Sequence, residues 1–321
     1  MVYVGIDLGG MSAKSAVFKD GKLLLKERVV TSPSDGFEGV AKKLASLAEN
    51  VVAHAGLELD EVAAIGIGSP GVIDGKTGVV AKWGNYSWEN VPLAKRVEEF
   101  TKKPVYVTNA ANAAALGEAI FGAGSKYEDC ILVTLGTGIG SGIVIGGKLF
   151  EGFKSAGGEA GHMTLVIGGK KCGCGRRGCF EQYASATALM AQTREAMFAD
   201  EKSLMWEVTG GSLDKANGAT PFTAARFGDK TAQKVVDNYV TYLGEGIANL
   251  VNIFRPQAIM LGGGVSNAGD ELLIPLKKYV EKNILVNSAY APLDIVIAKL
   301  GNDAGVYGAY AYAVQREEEK S

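Results

Sequence analysis

The chain carries little excess charge and no long apolar segment. Its 33 Lys and Arg residues nearly balance 35 Asp and Glu residues, which gives a formal net charge of −2. That balance gives no electrostatic reason to expect nucleic acid or a membrane as a partner. No apolar run approaches the roughly 18–20 residues that span a bilayer, and the N-terminal residues lack the basic region and apolar core of a signal peptide. We therefore expect a cytoplasmic protein.

Cysteine and histidine are also scarce, with four Cys and two His residues in the chain. Cys172, Cys174 and Cys179 nevertheless lie close together, shortly after His162. Three thiolates and one imidazole complete the closed tetrahedral shell of a structural Zn2+, and the intervening glycines allow the backbone to turn tightly. Without a signal peptide, such a cluster indicates metal binding in a reducing cytoplasm rather than disulfides. The alternative is a set of buried free thiols in a glycine-rich loop.

Glycine, in contrast, is abundant, with 44 residues, about twice the usual frequency. A strand, a glycine turn and a second strand are predicted at Val2–Phe18 and again at Cys130–Ile145. Two such units predict two related α/β halves. Apolar spacing and composition predict helices between and after them, at Phe37–Ala55, Leu93–Thr101, Ala110–Phe121, Thr187–Phe198, Thr231–Phe254 and Ala304–Val314.

Three glycine-rich turns are candidates for a nucleotide site. The first contains Asp7, Gly9, Gly10 and, a few residues later, Lys14. Its backbone N–H groups could approach phosphates, and Asp7 could hold Mg2+ through water, although alone it could equally be a plain turn. The second turn is Gly136, Thr137 and Gly138, and the third, which would let adenine or ribose lie against the backbone, is Gly262, Gly263 and Gly264. The spacing is not that of a Walker A loop, so a P-loop NTPase is excluded.

A long motif gives a family resemblance. Gly-Glu-Ala-Gly-His at Gly158–His162, followed by C-x-C-G-x-x-G-C-x-E at Cys172–Glu181, resembles the signature of the ROK family of bacterial sugar kinases. That family includes zinc-containing glucokinases and N-acetylhexosamine kinases, and the three glycine-rich turns match its ATP-binding pattern. The resemblance implies an α/β, two-domain actin-like ATPase (ribonuclease H-like) fold with an active-site cleft between the domains. It also implies a homodimer that binds hexose and Mg2+ with ATP.

The expected domains follow from this resemblance and from the repeated strand–turn–strand unit. Residues 1–115 are predicted to form a smaller N-terminal α/β domain with the first phosphate loop and part of the sugar site. The C-terminal helix, residues 303–321, is expected to pack back on it. Residues 116–302 are predicted to form a larger domain with the metal motif, the second phosphate loop and the adenosine site.

A hexose needs donors and acceptors in a fixed array. The candidates are residues in apolar or glycine-rich turns: Ser69, Gly71, Asn85, Asn109, Glu159, His162 and Glu181. The resemblance implies that Asn85, Asn109, Glu159, His162 and Glu181 bind sugar hydroxyls, and that zinc fixes the loop that orients the last two. Taken singly, each Asn or Glu could equally be a helix cap or a solvated residue.

The chain departs from the family pattern at two positions. Met11 stands where the family usually has Thr, whose hydroxyl can contact phosphate. Ala110 stands where the family has Asp, the general base that takes the proton from the sugar 6-hydroxyl, and alanine cannot accept a proton. Ala110 is either an engineered Asp→Ala change in a kinase or the mark of a natural pseudokinase. The otherwise complete site favours the engineered change.

The sequence therefore predicts an ATP-dependent hexose kinase, of glucokinase type, that is inactive or impaired at Ala110. The alternative substrates are N-acetylmannosamine, N-acetylglucosamine, fructose or another hexose. An alternative of another class is a non-catalytic sugar-binding sensor or pseudokinase. The family also includes transcription factors with an additional N-terminal helix-turn-helix, which is not expected here.

Overall fold

The computed structural model describes residues 1–320, which form a mixed α/β structure. Contacts between Cα atoms divide the chain into two units. Unit 1 contains Met1–Asp129, Gly142–Gly158 and the chain from Lys299 onward. Unit 2 contains Cys130–Ser141 and Glu159–Ala298.

The strands and helices are numbered in chain order. The strands are β1 (Val2–Leu8), β2 (Ser12–Lys19), β3 (Lys22–Val30), β4 (Val62–Ser69), β5 (Val72–Asp74), β6 (Val79–Trp83), β7 (Trp88–Val91), β8 (Val105–Asn109), β9 (Cys130–Leu135), β10 (Ile139–Ile145), β11 (Lys148–Leu149), β12 (Ala258–Gly262) and β13 (Asp294–Ile297). The helices are α1 (Gly36–His54), α2 (Leu93–Thr101), α3 (Ala110–Phe121), α4 (Glu181–Ala184), α5 (Ala186–Ala199), α6 (Met205–Val208), α7 (Thr220–Arg226), α8 (Lys230–Phe254), α9 (Asp270–Asn283) and α10 (Ala304–Glu318).

The main sheet of unit 1 has the strand order β3-β2-β1-β4-β8. The strand β1 runs antiparallel to β2 and parallel to β4. Its residues alternate between two cores, since Val4 and Ile6 pack with α1 and α2, whereas Tyr3 packs with Tyr310 of α10. Burial on both faces explains why β1 is almost wholly apolar. The turn between β2 and β3 has positive φ at Asp20 and Gly21, the geometry of a tight hairpin.

Small residues allow α3 and α10 to lie close to this sheet and to each other. A side chain at Gly66 would overlap the carbonyl oxygen of Ala309, and one at Gly117 would overlap that of Ala304. Because α3 packs on α10 along its length, residues 116–121 stay with unit 1. The predicted single boundary between residues 115 and 116 therefore differs from the observed division, in which 142–158 also returns to unit 1.

The second sheet has the order β11-β10-β9-β12-β13, and β12 runs parallel to both β9 and β13. The carboxyl ends of β9 and β12 therefore meet at the same edge, where Thr134 pairs with Gly262. A small antiparallel sheet, β5-β6-β7, belongs to unit 1. Among residues 1–320, none of the helices combines the length and the apolar character needed to cross a membrane.

Candidate active site and metal centre

The four predicted metal ligands come together in unit 2. The candidate ligand atoms of His162, Cys172, Cys174 and Cys179 all lie within 4.8 Å of one another. His162 Nδ1 is 3.7 Å from Cys172 Sγ, and the Sγ atoms of Cys174 and Cys179 are 3.6 Å apart. A tetrahedral ion with Zn–S bonds near 2.3 Å separates its sulfur ligands by about 3.8 Å. The donor set and spacing therefore fit a four-coordinate metal, and the predicted clustering is confirmed.

A tight backbone loop holds the sulfurs in place. Lys171 and Arg177 form an isolated antiparallel bridge, and the Cys172 N–H donates to the carbonyl of Arg176 over 2.9 Å. Gly178 has a φ of 77°, and a side chain there would overlap the carbonyl oxygen of Val166. Only glycine fits this position, so the glycine of the motif has a direct structural reason.

The thiols differ in their readiness to ionise. Burial raises the pKa of Cys172 to about 12, whereas the backbone N–H of Arg176 lowers the pKa of Cys174. A metal bound at neutral pH would therefore have to displace thiol protons, as metal ligation by cysteine generally does.

Glu181 begins α4 and lies between the metal ligands and the second glycine-rich turn. Its Oε1 accepts a hydrogen bond from Cys172 Sγ at 3.1 Å and lies 3.7 Å from His162 Nδ1. A Cβ atom on Gly138 would lie 2.6 Å from the other carboxylate oxygen, Oε2. A predicted sugar-binding carboxylate is thus placed directly against a predicted phosphate-binding turn.

The second and third glycine-rich turns lie at the ends of neighbouring strands. Gly136–Gly138 follows β9, and Gly262–Gly264 closes β12. Gly263 has a φ of 83°, and a Cβ there would lie 2.5 Å from the carbonyl oxygen of Leu135. The structure therefore brings two of the three predicted nucleotide turns to one edge of the sheet in unit 2. A Cβ at Gly263 would overlap backbone atoms, whereas one at Gly138 would displace the carboxylate of Glu181.

The first glycine-rich turn belongs to unit 1. Asp7 pairs with Lys14 across β1 and β2, and Lys14 Nζ donates to the carbonyl of Asn302 at 2.9 Å. Burial raises the pKa of Asp7, and Lys14 opposes that change. Gly305, at the start of α10, lies so close to Asp7 that a Cβ there would be 2.6 Å from the carboxyl carbon. Met11 is 81% exposed.

Three of the predicted sugar residues meet at the carboxyl ends of β4 and β8 in unit 1. Ser69, which is buried, pairs with Asn109 in the parallel register. Asn109 Nδ2 donates to the carbonyl of Gly71 at 2.8 Å, and Oδ1 accepts from Ala111 N at 2.7 Å. Asn109 therefore caps α3 and fixes the turn before β5. Asn85 is exposed on the turn Gly84–Tyr86, outside this group.

Ala110 is the first residue of α3, and the first turn of this helix contains no acidic side chain. The structure reveals a half-buried carboxylate that sequence patterns did not indicate, Glu151. Its Oε1 accepts from Thr108 Oγ1 at 3.0 Å, and its Oε2 accepts from Tyr312 at 3.3 Å. Burial raises its pKa. These two hydrogen bonds occupy both carboxylate oxygens, which indicates a structural role for Glu151.

The remaining sugar candidates belong to unit 2. Glu159 is exposed and precedes the short helical turn Ala160–His162, in which His162 N donates to the carbonyl of Glu159 at 3.1 Å. This turn places His162 among the cysteines and leaves Glu159 at the surface. The structure therefore groups His162 with Glu181, while the hydroxyl-binding roles of all these residues stay predictions.

The family model described as "ROK family" matches residues 3–316 of the chain. The chain belongs to the ROK family. A glucokinase from Thermotoga maritima is 38% identical over 98% of this chain and 97% of its own length. A xylose repressor from Caldicellulosiruptor bescii is 32% identical over 97% of this chain and 77% of its own length. This ROK chain therefore has relatives with two kinds of function.

A solved structure of a ROK protein is also similar to the chain. A ROK family glucokinase from Streptomyces griseus, in complex with glucose and AMPPNP, matches with a TM-score of 0.80 and 36% identity, covering 98% of this chain and all of that one. The family resemblance and the predicted α/β fold of the actin-like ATPase type are thereby confirmed.

Proposed function

We propose that this ROK chain is an ATP-dependent hexose kinase of glucokinase type, which transfers the γ-phosphate of ATP to the 6-hydroxyl of glucose and is slowed by Ala110. The observation that carries the proposal is the contact between Glu181 and Gly138. A kinase must bring the sugar to the phosphate, and here a hydroxyl-binding carboxylate abuts a phosphate-binding turn. The glucokinases among its relatives support the same reading.

The sugar is proposed to be held by polar groups at the turns of both units. Asn109, Ser69 and the backbone of Gly71 contribute from unit 1, with Asn85. Glu159, His162 and Glu181 contribute from unit 2. His162 directs Nδ1 toward Cys172, which leaves its other ring nitrogen as a donor to a hydroxyl. These hydrogen bonds would orient the 6-hydroxyl toward the γ-phosphate. Phosphoryl transfer depends mainly on such positioning.

The nucleotide is proposed to bind at the three glycine-rich turns. Gly9, Gly10 and Lys14 contact phosphate from unit 1, and Gly136, Thr137 and Gly138 from unit 2, while Gly262–Gly264 accommodate the adenosine. When bound, Mg2+ supplies neutralising charge to the phosphates, and Asp7 would hold it through water. Burial raises the pKa of Asp7 because it disfavours the charged carboxylate, and a bound cation would offset that cost.

Zinc is proposed as the metal of the Cys3His cluster, with a structural role only. His162, Cys172, Cys174 and Cys179 would hold it, and these ligands leave no position for a substrate. Thiolate ligands require a reducing environment, so we expect the cytoplasm. The family resemblance also leads us to propose a homodimer, which light scattering after size-exclusion chromatography tests.

Ala110 is proposed to limit turnover rather than binding. Loss of a positioned base typically costs about 10²–10⁴-fold in rate, and some activity survives because positioning and electrostatic stabilisation do most of the work in phosphoryl transfer. An engineered Asp→Ala change explains an otherwise complete site better than natural drift does, since drift would also erode the metal ligands or the glycine-rich turns.

Two alternatives follow from particular observations. The pocket around the sugar 2-position is not specified by any motif, so N-acetylmannosamine, N-acetylglucosamine, fructose or another hexose are alternative substrates. The missing base at Ala110 and the similarity to a xylose repressor favour, as a second function, a sensor or pseudokinase that binds sugar without phosphorylating it.

The test is product detection by 31P NMR with the Ala110→Asp variant, ATP and each of glucose, mannose, fructose and the N-acetylhexosamines. The kinase proposal predicts ADP together with a hexose phosphorylated at O6. Sugar-dependent heat in calorimetry with no phosphorylated product from any sugar would instead establish the sensor alternative.

A further inference from the structure

The metal cluster and the second glycine-rich turn are joined by two separate contacts, both inside unit 2. The first is made by the segment that ends in His162. A side chain on Gly161 would overlap the carbonyl oxygen of Ile139, so this segment packs directly on the residue that follows the turn 136–138. One metal ligand is therefore a single residue away from a close contact with the turn.

The second contact is made by the segment that contains Cys179. Glu181 follows this ligand by two residues, and its Oε2 would lie 2.6 Å from a Cβ atom placed on Gly138. Ala186, the first residue of the next helix, α5, donates its N–H to the carbonyl of Gly136 at 2.9 Å. Cys179 thus begins a continuous stretch of backbone that touches both ends of the turn.

The two ligand segments also bind each other. Phe180 N donates to the carbonyl of Met163 at 2.9 Å, and Thr164 and Cys179 form an isolated antiparallel bridge. A metal held by His162 and Cys179 would join the same two segments a second time. Holding these two segments together fixes the position of Glu181, because Glu181 follows Cys179 by only two residues.

We propose that Glu181 is a positioning residue through which the metal cluster sets the shape of the phosphate-binding turn 136–138, so that metal occupancy controls nucleotide affinity as well as sugar binding. The proposal rests on the proposed function, since it takes 136–138 as a phosphate turn.

The test is a double-mutant cycle on metal-loaded protein, read as the affinity for Mg·AMPPNP in titration calorimetry without sugar. Gly138→Ala introduces a methyl group against Glu181 and is expected to weaken binding about tenfold. In the Glu181→Ala background the carboxylate is gone, and the same change should cost about threefold or less.

The matched control is Gly136→Ala. A Cβ at Gly136 would lie 3.9 Å from the carbonyl oxygen of Gly138, an ordinary contact, and would not meet Glu181. Whatever affinity this change costs, its cost should be the same with Glu181 and with Glu181→Ala. If Glu181→Ala changes the affinity loss of Gly138→Ala and of Gly136→Ala by the same factor, the proposal is overturned. The effect would then be a general weakening of nucleotide binding and would not depend on the contact between Glu181 and Gly138.

A second arm removes the metal with a chelator and follows the same affinity, with circular dichroism to show that the protein remains folded. The expected result is about a tenfold loss for Mg·AMPPNP that added Zn2+ restores. Unchanged affinity in folded, metal-free protein overturns the proposal. If the metal-loaded, unsubstituted chain binds no Mg·AMPPNP at all, the proposed kinase function itself fails, which is a distinguishable result.

Discussion

The first and second glycine-rich turns follow buried strands of similar character but have different surroundings. At Gly10 no heavy atom lies within 4 Å of the place a Cβ would occupy, and neighbouring Met11 is 81% exposed. At Gly138 the carboxylate of Glu181 occupies that space, and Gly136 accepts a hydrogen bond from Ala186. The same sequence pattern therefore gives one turn with open space around Gly10 and one turn that is contacted by the segment carrying the candidate metal ligands.

Loss of the metal should have the largest effect on this difference between the first and second turns. Cys172→Ser removes a buried ligand, and metal binding contributes on the order of 10 kcal/mol to folding in small zinc sites. We expect the metal to be lost and amide exchange to accelerate in the turn 136–138, with exchange at residues 9–11 unchanged. Elemental analysis and hydrogen exchange by mass spectrometry measure both.

The control for this substitution is Cys130→Ala, which removes the cysteine that lies outside the cluster and should leave the metal in place. Equal acceleration of exchange in both turns after Cys172→Ser would show that the metal acts on the whole chain rather than on unit 2, which contradicts the comparison.

A smaller effect is expected at the third turn. Gly263→Ala places a methyl group against the carbonyl oxygen of Leu135 in a backbone conformation with a φ of 83°, and should cost about 2–3 kcal/mol of stability. Gly264→Ala is the matched variant, because no heavy atom lies within 4 Å of its Cβ position. Chemical denaturation should therefore separate the two variants, and similar stabilities would show that the third turn is as open as the first.

Asp7 gives a prediction with a defined sign. Burial raises the pKa of Asp7, so the folded state binds its proton more tightly than the unfolded state does. Its contribution to stability is present at low pH and is lost as the pH rises through the folded pKa. Asp7→Asn should accordingly raise the melting temperature at pH 7 but not at pH 3, while Mg·ATP binding is lost. A lower melting temperature at pH 7 would contradict this reading.

The smallest change is expected in the open turn. Met11→Thr supplies a hydroxyl where the side chain is exposed, so water competes for the new hydrogen bond. Nucleotide affinity should rise by about two- to tenfold, with no change in stability. Calorimetry with Mg·AMPPNP measures it, and a large loss of stability would mean that this turn is packed as tightly as the second.

Local patterns predicted the local structure of the chain. Helices Leu93–Thr101 and Ala110–Phe121 have the predicted bounds, because apolar spacing and alanine content determine them directly. The short strands β5–β7 were not predicted, since three to five residues carry too weak a periodicity. Helix α9 was also missed, and it contains Pro275, a residue that argues against a helix.

The candidate site divides in the same way. The four metal ligands lie in one short stretch, so their clustering could be predicted from spacing. The contact between Glu181 and Gly138 joins residues more than forty positions apart, and the burial of Glu151 depends on Thr108 and Tyr312. Such contacts come from tertiary packing, which no local pattern encodes. The observed division into units depends on such packing as well, because Gly117 and Gly308 allow α3 and α10 to lie in close contact.

The measurement that tests the central claim most directly is a coupled phosphorylation assay that compares the chain with its Ala110→Asp variant. The account predicts that kcat rises by at least about 100-fold on one hexose, with KM for sugar and ATP changing little, because the new carboxylate acts only as the base. If the variant still binds sugar and Mg·ATP yet phosphorylates no hexose faster than the unsubstituted chain, the assignment of Ala110 to the base position and the kinase proposal are both contradicted.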